Sequence, residues 1–209
     1  NHGCGRALKV GAQNGGNVYS RFCWENIDVI ACEWPIAMTW QGSSGTPTVF
    51  HHFYVKNLHV EGLTRSWFNV AGSDAYDLYF QKLSFPYWGS RTQGFQSDKI
   101  TSATVQHLTV GGKVMQSMTE AKLSWNQSTQ KVSFRTDEPT EVVIRAASLY
   151  ASRAPVTPAS FTITRRGGST AKALTLKYRI WGCARNGVDY EKIPGEVTIP
   201  AGAGSADIV

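Results

Sequence analysis

Ten carboxylates lie in the first 138 residues: Glu25, Asp28, Glu33, Glu61, Asp74, Asp77, Asp98, Glu120, Asp137 and Glu138. Two carboxyl groups on opposite sides of a glycosidic bond are the usual requirement for its hydrolysis, one as proton donor and one as base or nucleophile. These ten form no evident pair in the sequence. Glu33 beside Trp34 and Glu61 beside Gly62 read as solvated turn residues. Adjacent His51 and His52 are of a type that ligates metals. No acidic residue or cysteine stands near them in sequence, so they read as solvent-facing strand residues. Trp34, Trp40, Trp67, Tyr87 and Trp88 fall at expected strand ends or in loops. A flat ring there can stack on the apolar face of a sugar while polar neighbours bind its hydroxyls.

The elements that would position these groups come from a repeat. A polar, apolar, polar, apolar pattern occurs as Asn26-Ile27-Asp28-Val29, Asn57-Leu58-His59-Val60, Lys82-Leu83-Ser84-Phe85, His107-Leu108-Thr109-Val110 and Lys131-Val132-Ser133-Phe134. From Asn57 the steps are 25, 25 and 24 residues; the first step of 31 contains the polar insert Gly42 to Pro47. Such a period with period-2 strands inside it indicates stacked β-coils. A second strand per coil is expected at Leu8-Lys9-Val10, Ile36-Ala37-Met38 and Phe68-Asn69-Val70. Alternation turns Lys9, Ala37 and Asn69 outward, side by side on one wall suited to an elongated ligand. The stretch from Phe85 to Asp98 breaks the alternation and reads as a loop leaving the stack.

Composition narrows the classes. An aromatic fraction of 11% and a charged fraction of 17% exclude disorder, and 20 glycines suit short strands joined by turns. The net charge of +6 is spread along the chain, and only Arg165-Arg166 are adjacent; no phosphate footprint is formed and no nucleic-acid partner is expected. Cys4, Cys23, Cys32 and Cys183 lack zinc-site spacing; Cys23 and Cys32 read as buried thiols or as a staple across one coil. No apolar run has the length of a membrane span. Ala7-Leu8-Lys9-Val10 reads as a strand inside a coil, so the natural protein is expected to begin upstream of Asn1, and the end coil to associate with that segment or with other chains.

After Phe134 the polar run Arg135 to Glu141 suits a linker or cap. The expected units are β-helix coils over 1–138 and a sandwich over 139–209, with strands at Val142–Ala147, Ser160–Thr164, Ala173–Trp181 and Glu196–Ile199 and a final strand cut at Val209. The fold class expected is all-β: C-terminal coils of a right-handed parallel β-helix, then a partial antiparallel β-sandwich.

Two resemblances sharpen this. Phe161 to Gly168, Leu174 to Tyr178, Gly182 to Tyr190 and Val197 to Gly202 together resemble a Calx-beta domain, over about 65 residues. That family holds calcium, when it binds it, with acidic residues from several loops, because a hard cation needs many oxygens. Only Asp189 matches. Ala151-Ser152-Arg153 stands where an acidic residue is expected, so Asp189 reads first as a turn residue, and no cofactor is expected.

The first unit, through Ala7 to Val10, Asn26 to Trp40, Val60 to Phe68 and Leu108 to Val114, resembles the C-terminal coils of glycoside hydrolase family 49, the dextranases and isopullulanases. The resemblance implies an adjacent aspartate pair just before Leu8-Lys9-Val10; Gly5 and Arg6 stand there, leaving the catalytic residues unassigned. It implies part of an extracellular α-glucan hydrolase; the substrate-binding residues expected from the outward row and the placement of the rings are Lys9, Trp34, Trp40, Asn69 and Trp88. The alternative is a non-catalytic extracellular or cell-surface protein built from coil and Calx-beta modules for structure, adhesion or carbohydrate binding.

Overall fold

The computed structural model describes residues 4–11, 17–39, 48–62, 68–71, 74–87, 93–95, 100–153 and 155–209. Trp40, Trp67, Trp88 and the insert from Gly42 to Pro47 lie outside them. Among the described residues there is no helix, hence none long and apolar enough to cross a membrane. The chain divides into two compact units, Asn1–Asp137 and Glu138–Val209.

The first unit is a parallel β-solenoid. One sheet stacks β1 (Cys4–Val10), β3 (Cys32–Thr39), β5 (Phe68–Ala71), β7 (Gln93–Phe95) and β10 (Leu123–Ser124) in that order. The other stacks β2 (Val18–Val29), β4 (Val49–Val60), β6 (Ala75–Phe85), β8 (Ala103–Val110) and β11 (Val132–Arg135), with short β9 (Lys113–Val114) on β8. Every pairing between coils is parallel. Between the sheets lies one core: Ile36, Phe53, Val55, Leu58, Leu78, Phe80, Leu83 and Leu108 are each at most 1% exposed.

The strands of the second sheet are long because they bend. Arg21 and Asn26 in β2, His52 and Asn57 in β4, and Asp77 and Lys82 in β6 all have positive φ, between 50° and 60°. His107 repeats the second of these corners in β8 at φ 55°. A left-handed residue interrupts the pleat, so residues on either side of it do not keep strict alternation. Each long strand is therefore several short strands hinged at corners five residues apart. The first polar residue of the repeat motif is thus a backbone corner in four of its five occurrences, Asn26, Asn57, Lys82 and His107. Asparagine accepts this conformation most readily, and Asn57 Nδ2 donates to Asn26 Oδ1 at 2.8 Å, linking two corners along the axis.

Two expectations are corrected. Lys131 to Phe134 does not align with His107 to Val110: Val132 pairs with Ala103 and Phe134 with Val105, five residues earlier. Ser102 to Val105 has the same polar-apolar alternation as His107 to Val110, so the pattern alone cannot separate the two registers. The choice is made by β9, which folds back antiparallel through Gly111-Gly112 and occupies the edge beside Thr109 and Val110. Second, the segment from Phe85 to Asp98 is not entirely a loop. Gln93–Phe95 returns as β7, and Phe95 is 2% exposed against Phe80, with ring centroids 6.1 Å apart. Gly94 disguises this strand; it is needed because Ser124 of β10 lies so close that a Cβ would stand 2.7 Å from the Ser124 nitrogen.

The second unit is antiparallel. β12 (Glu141–Ser148), β15 (Ser160–Arg166) and β18 (Ser205–Ile208) form a sheet in that order. β13 (Ser152–Arg153) pairs with β14 (Val156–Thr157), and β16 (Leu174–Lys177) with β17 (Glu196–Ile199). The strand expected over Ala173–Trp181 is shorter, and Trp181 is 85% exposed. The core is small, centred on Ile163, Ile199 and Ile208. Buried Arg165 anchors the loop beyond β15 by donating to the carbonyls of Ser169 and Lys172 at 2.9–3.1 Å.

Candidate functional site

The outward row expected on the first sheet exists as a register: Lys9 pairs with Ala37, Ala37 with Asn69 and Asn69 with Gly94. It is not an open wall. Lys9 is exposed, but Ala37 is 1% exposed although it belongs to no part of the core between the sheets, so its outer side is covered. Asn69 is half-buried, and its Oδ1 is buried with no donor among the described residues. Trp34 is half-buried and lies beside Arg6 of β1 in the register. Trp40 and Trp88 lie outside the described residues. The structure therefore brings Lys9 and Asn69 into one row, separated by Ala37, with Trp34 three residues before it on β3. Tyr87 is 49% exposed. Cys32 is buried, whereas Cys23 is exposed on β2, which corrects its expected burial.

The outer face of the second sheet carries the groups that sequence reasoning missed. Tyr54 and Tyr79 pair between β4 and β6, and their rings stack with centroids 5.0 Å apart and 3° between planes. Their register neighbours on either side are small, Cys23 and Thr104. The ring pair thus has a small side chain beside it in each direction along the register. Lys56 lies over Tyr54, its Nζ 5.7 Å from the ring centre, which fills the Tyr54 side. The Tyr79 side, above Thr104, has no such cation among the described residues.

Beside the tyrosines runs a row of amides. Gln81 Nε2 donates to Gln106 Oε1 at 3.0 Å, and Gln106 Nε2 donates to Asp137 Oδ2 at 2.9 Å. Arg135 donates to both oxygens of Asp137 at 3.0 and 2.7 Å. The hydrogen bonds from Arg135 foremost, with help from Gln106, hold the Asp137 carboxyl below its ordinary range. Glu120 is held down likewise by the Lys113 ammonium at 2.5 Å and by the Gln116 amide. A general acid needs the opposite displacement.

A third cluster sits at the His52 corner. His51 stacks on Tyr76 with centroids 4.9 Å apart and 5° between planes. His51 Nδ1 and His52 Nδ1 are 2.6 Å apart, and His52 Nε2 lies 3.6 Å from Asp77 Oδ2. Ser102 Oγ donates to Asp77 Oδ1 at 3.2 Å and accepts from the Asp77 backbone N–H at 2.7 Å. The serine bonds to the carboxylate and not to an imidazole, so the group lacks the nucleophile-base contact of a hydrolytic triad. The signal for these contacts was the coil step itself: His51 to Tyr76, His52 to Asp77, Tyr54 to Tyr79 and Gln81 to Gln106 are each 25 residues apart.

In the second unit the Asp189 carboxylate accepts from the Arg185 backbone N–H at 2.7 Å, with the Arg185 Nε 3.6 Å away. It closes the turn that also holds Gly187. A comparison with known protein families, curated proteins and solved structures finds no match for this chain.

Proposed function

We propose that this chain is a polysaccharide-contacting module of an extracellular protein, with the contact made by the outer face of the second solenoid sheet. The observation that carries the reading is the Tyr79 ring: an aromatic face whose next register neighbour is the small Thr104, bordered by the half-buried Gln81 amide, which buried Gln106 holds in place. Stacking on a ring combined with flanking amide and hydroxyl groups is the arrangement that neutral sugars require. The rows follow the direction in which the coils stack, so an extended polymer would cross Tyr54 and Tyr79 on two successive coils. The reading assigns to these residues contact with the polymer, not cleavage of its bonds.

The finer form of the proposal is an α-glucan ligand, on right-handed coils of the family 49 type followed by a Calx-beta module. It rests on the sequence resemblances alone. Electrophoresis through gels containing dextran, pullulan or polygalacturonate tests it. Retardation is expected in the neutral α-glucans, weakened roughly 2- to 13-fold by Tyr79→Ala, as the loss of about 0.5–1.5 kcal/mol of ring contact implies. Unretarded migration in all three gels, or retardation unchanged by Tyr79→Ala, would overturn it.

A further inference from the structure

We infer that the His51–His52 corner is a binding site for a divalent transition-metal ion, with copper(II) the tightest. Neighbouring residues of a strand ordinarily point to opposite faces. At φ 57° His52 breaks that rule, bringing its ring beside that of His51 with the two Nδ1 atoms 2.6 Å apart. Two ring nitrogens so close are joined either by an N–H···N hydrogen bond, one ring donating to the other, or by a cation between them. A metal bound at about 2.0–2.1 Å to each imidazole nitrogen would require the pair to open by less than about 1 Å.

The surroundings are those that orient a ligating imidazole. Tyr76 stacks on His51 and fixes its plane. Asp77 faces the far nitrogen of His52 at 3.6 Å, and Ser102 holds Asp77 in place through two hydrogen bonds. Drawn from 3.6 Å to hydrogen-bond distance when a metal binds, this carboxylate would select the tautomer that leaves the near nitrogen free to ligate. Imidazole donors suit copper, zinc and nickel, and copper(II) heads the affinity order for such ligands. Among the described residues no group of three or more His, Cys, Asp and Glu side chains is arranged to enclose a metal. The site is therefore an open one, with two protein nitrogens and the remaining positions left to water.

Titration of the whole chain with copper(II), read by electron paramagnetic resonance and calorimetry, tests this. One ion with two-nitrogen hyperfine structure is expected. His51→Gln and His52→Asn should each weaken binding at least 10-fold, asparagine being chosen because it tolerates the left-handed corner. Asp77→Asn should cost about 10- to 100-fold. His59→Gln and His2→Gln should change nothing. Far-UV circular dichroism of each variant confirms that the fold is retained. Binding indifferent to both His51→Gln and His52→Asn, or abolished by His2→Gln, would overturn the inference.

Discussion

Gly94→Ala is expected to damage the solenoid far more than its size suggests. Gly94 sits in β7 at φ +129°, a region that residues with a side chain rarely adopt. An added Cβ would stand 2.7 Å from the nitrogen of Ser124, 3.1 Å from its carbonyl carbon and in hard contact with its carbonyl oxygen. All three atoms are backbone, so no side-chain rotation relieves the clash, and β10 must leave the sheet. The strained φ costs about 1–3 kcal/mol. Displacing β10 also loosens Leu123, which is 3% exposed, and a partial loss of its burial adds roughly 1–2 kcal/mol. Gly112→Ala is the control: φ is +77° there, but nothing stands within 4 Å of the new Cβ, leaving only a left-handed penalty of about 1–2 kcal/mol. Urea unfolding followed by tryptophan fluorescence reads the difference, since six of the seven tryptophans lie in the first unit. Gly94→Ala should unfold at a midpoint about 1 M below Gly112→Ala, given a difference of about 2 kcal/mol and slopes of about 1–3 kcal/mol per M. Equal midpoints for the two variants would refute the close β7–β10 approach.

The corner at Asn57 gives a second test: Asn57→Ala loses both the left-handed preference and the hydrogen bond to Asn26, about 1.5–2.5 kcal/mol together, whereas Asn57→Gly keeps the backbone freedom and should cost less. Equal destabilisation of the two variants in urea would count against the corner. Asp137 has a depressed pKa in the folded state, so its contribution to stability is fully present above the unfolded value near 3.8 and is lost as pH falls through the lower folded one. Carboxyl NMR titration should place its midpoint below 3.8 in the natural chain and nearer to it in Arg135→Ala; a midpoint unmoved by that change would contradict the Arg135 contact.

The stacked coils were legible because a solenoid writes its register into the sequence as a period. The row Lys9, Ala37 and Asn69 pairs as alternation requires. What alternation does not encode is what covers a row from outside, which is why Ala37 is buried on an outward position. Alternation presents the left-handed corners as ordinary polar strand residues, because Lys82 and His107 give no compositional hint of positive φ. The final register depended on β9 claiming an edge, a tertiary competition invisible to a period-2 pattern. The outer-face contacts were hidden differently. Tyr54 and Tyr79, or His52 and Asp77, are remote in sequence and become neighbours only when the 25-residue step is applied to single residues and not just to motifs. Expected sites at Trp40 and Trp88 fall outside the described residues.

The proposed role of the Tyr79 face is tested most directly by saturation-transfer NMR with a soluble α-glucan oligosaccharide, irradiating the aromatic protons of the whole chain. Transfer to the sugar ring protons, falling sharply in Tyr79→Ala and persisting in Tyr87→Ala, is the predicted result. Absence of transfer, or transfer of equal strength in Tyr79→Ala, would contradict the assignment of this face as the polysaccharide contact.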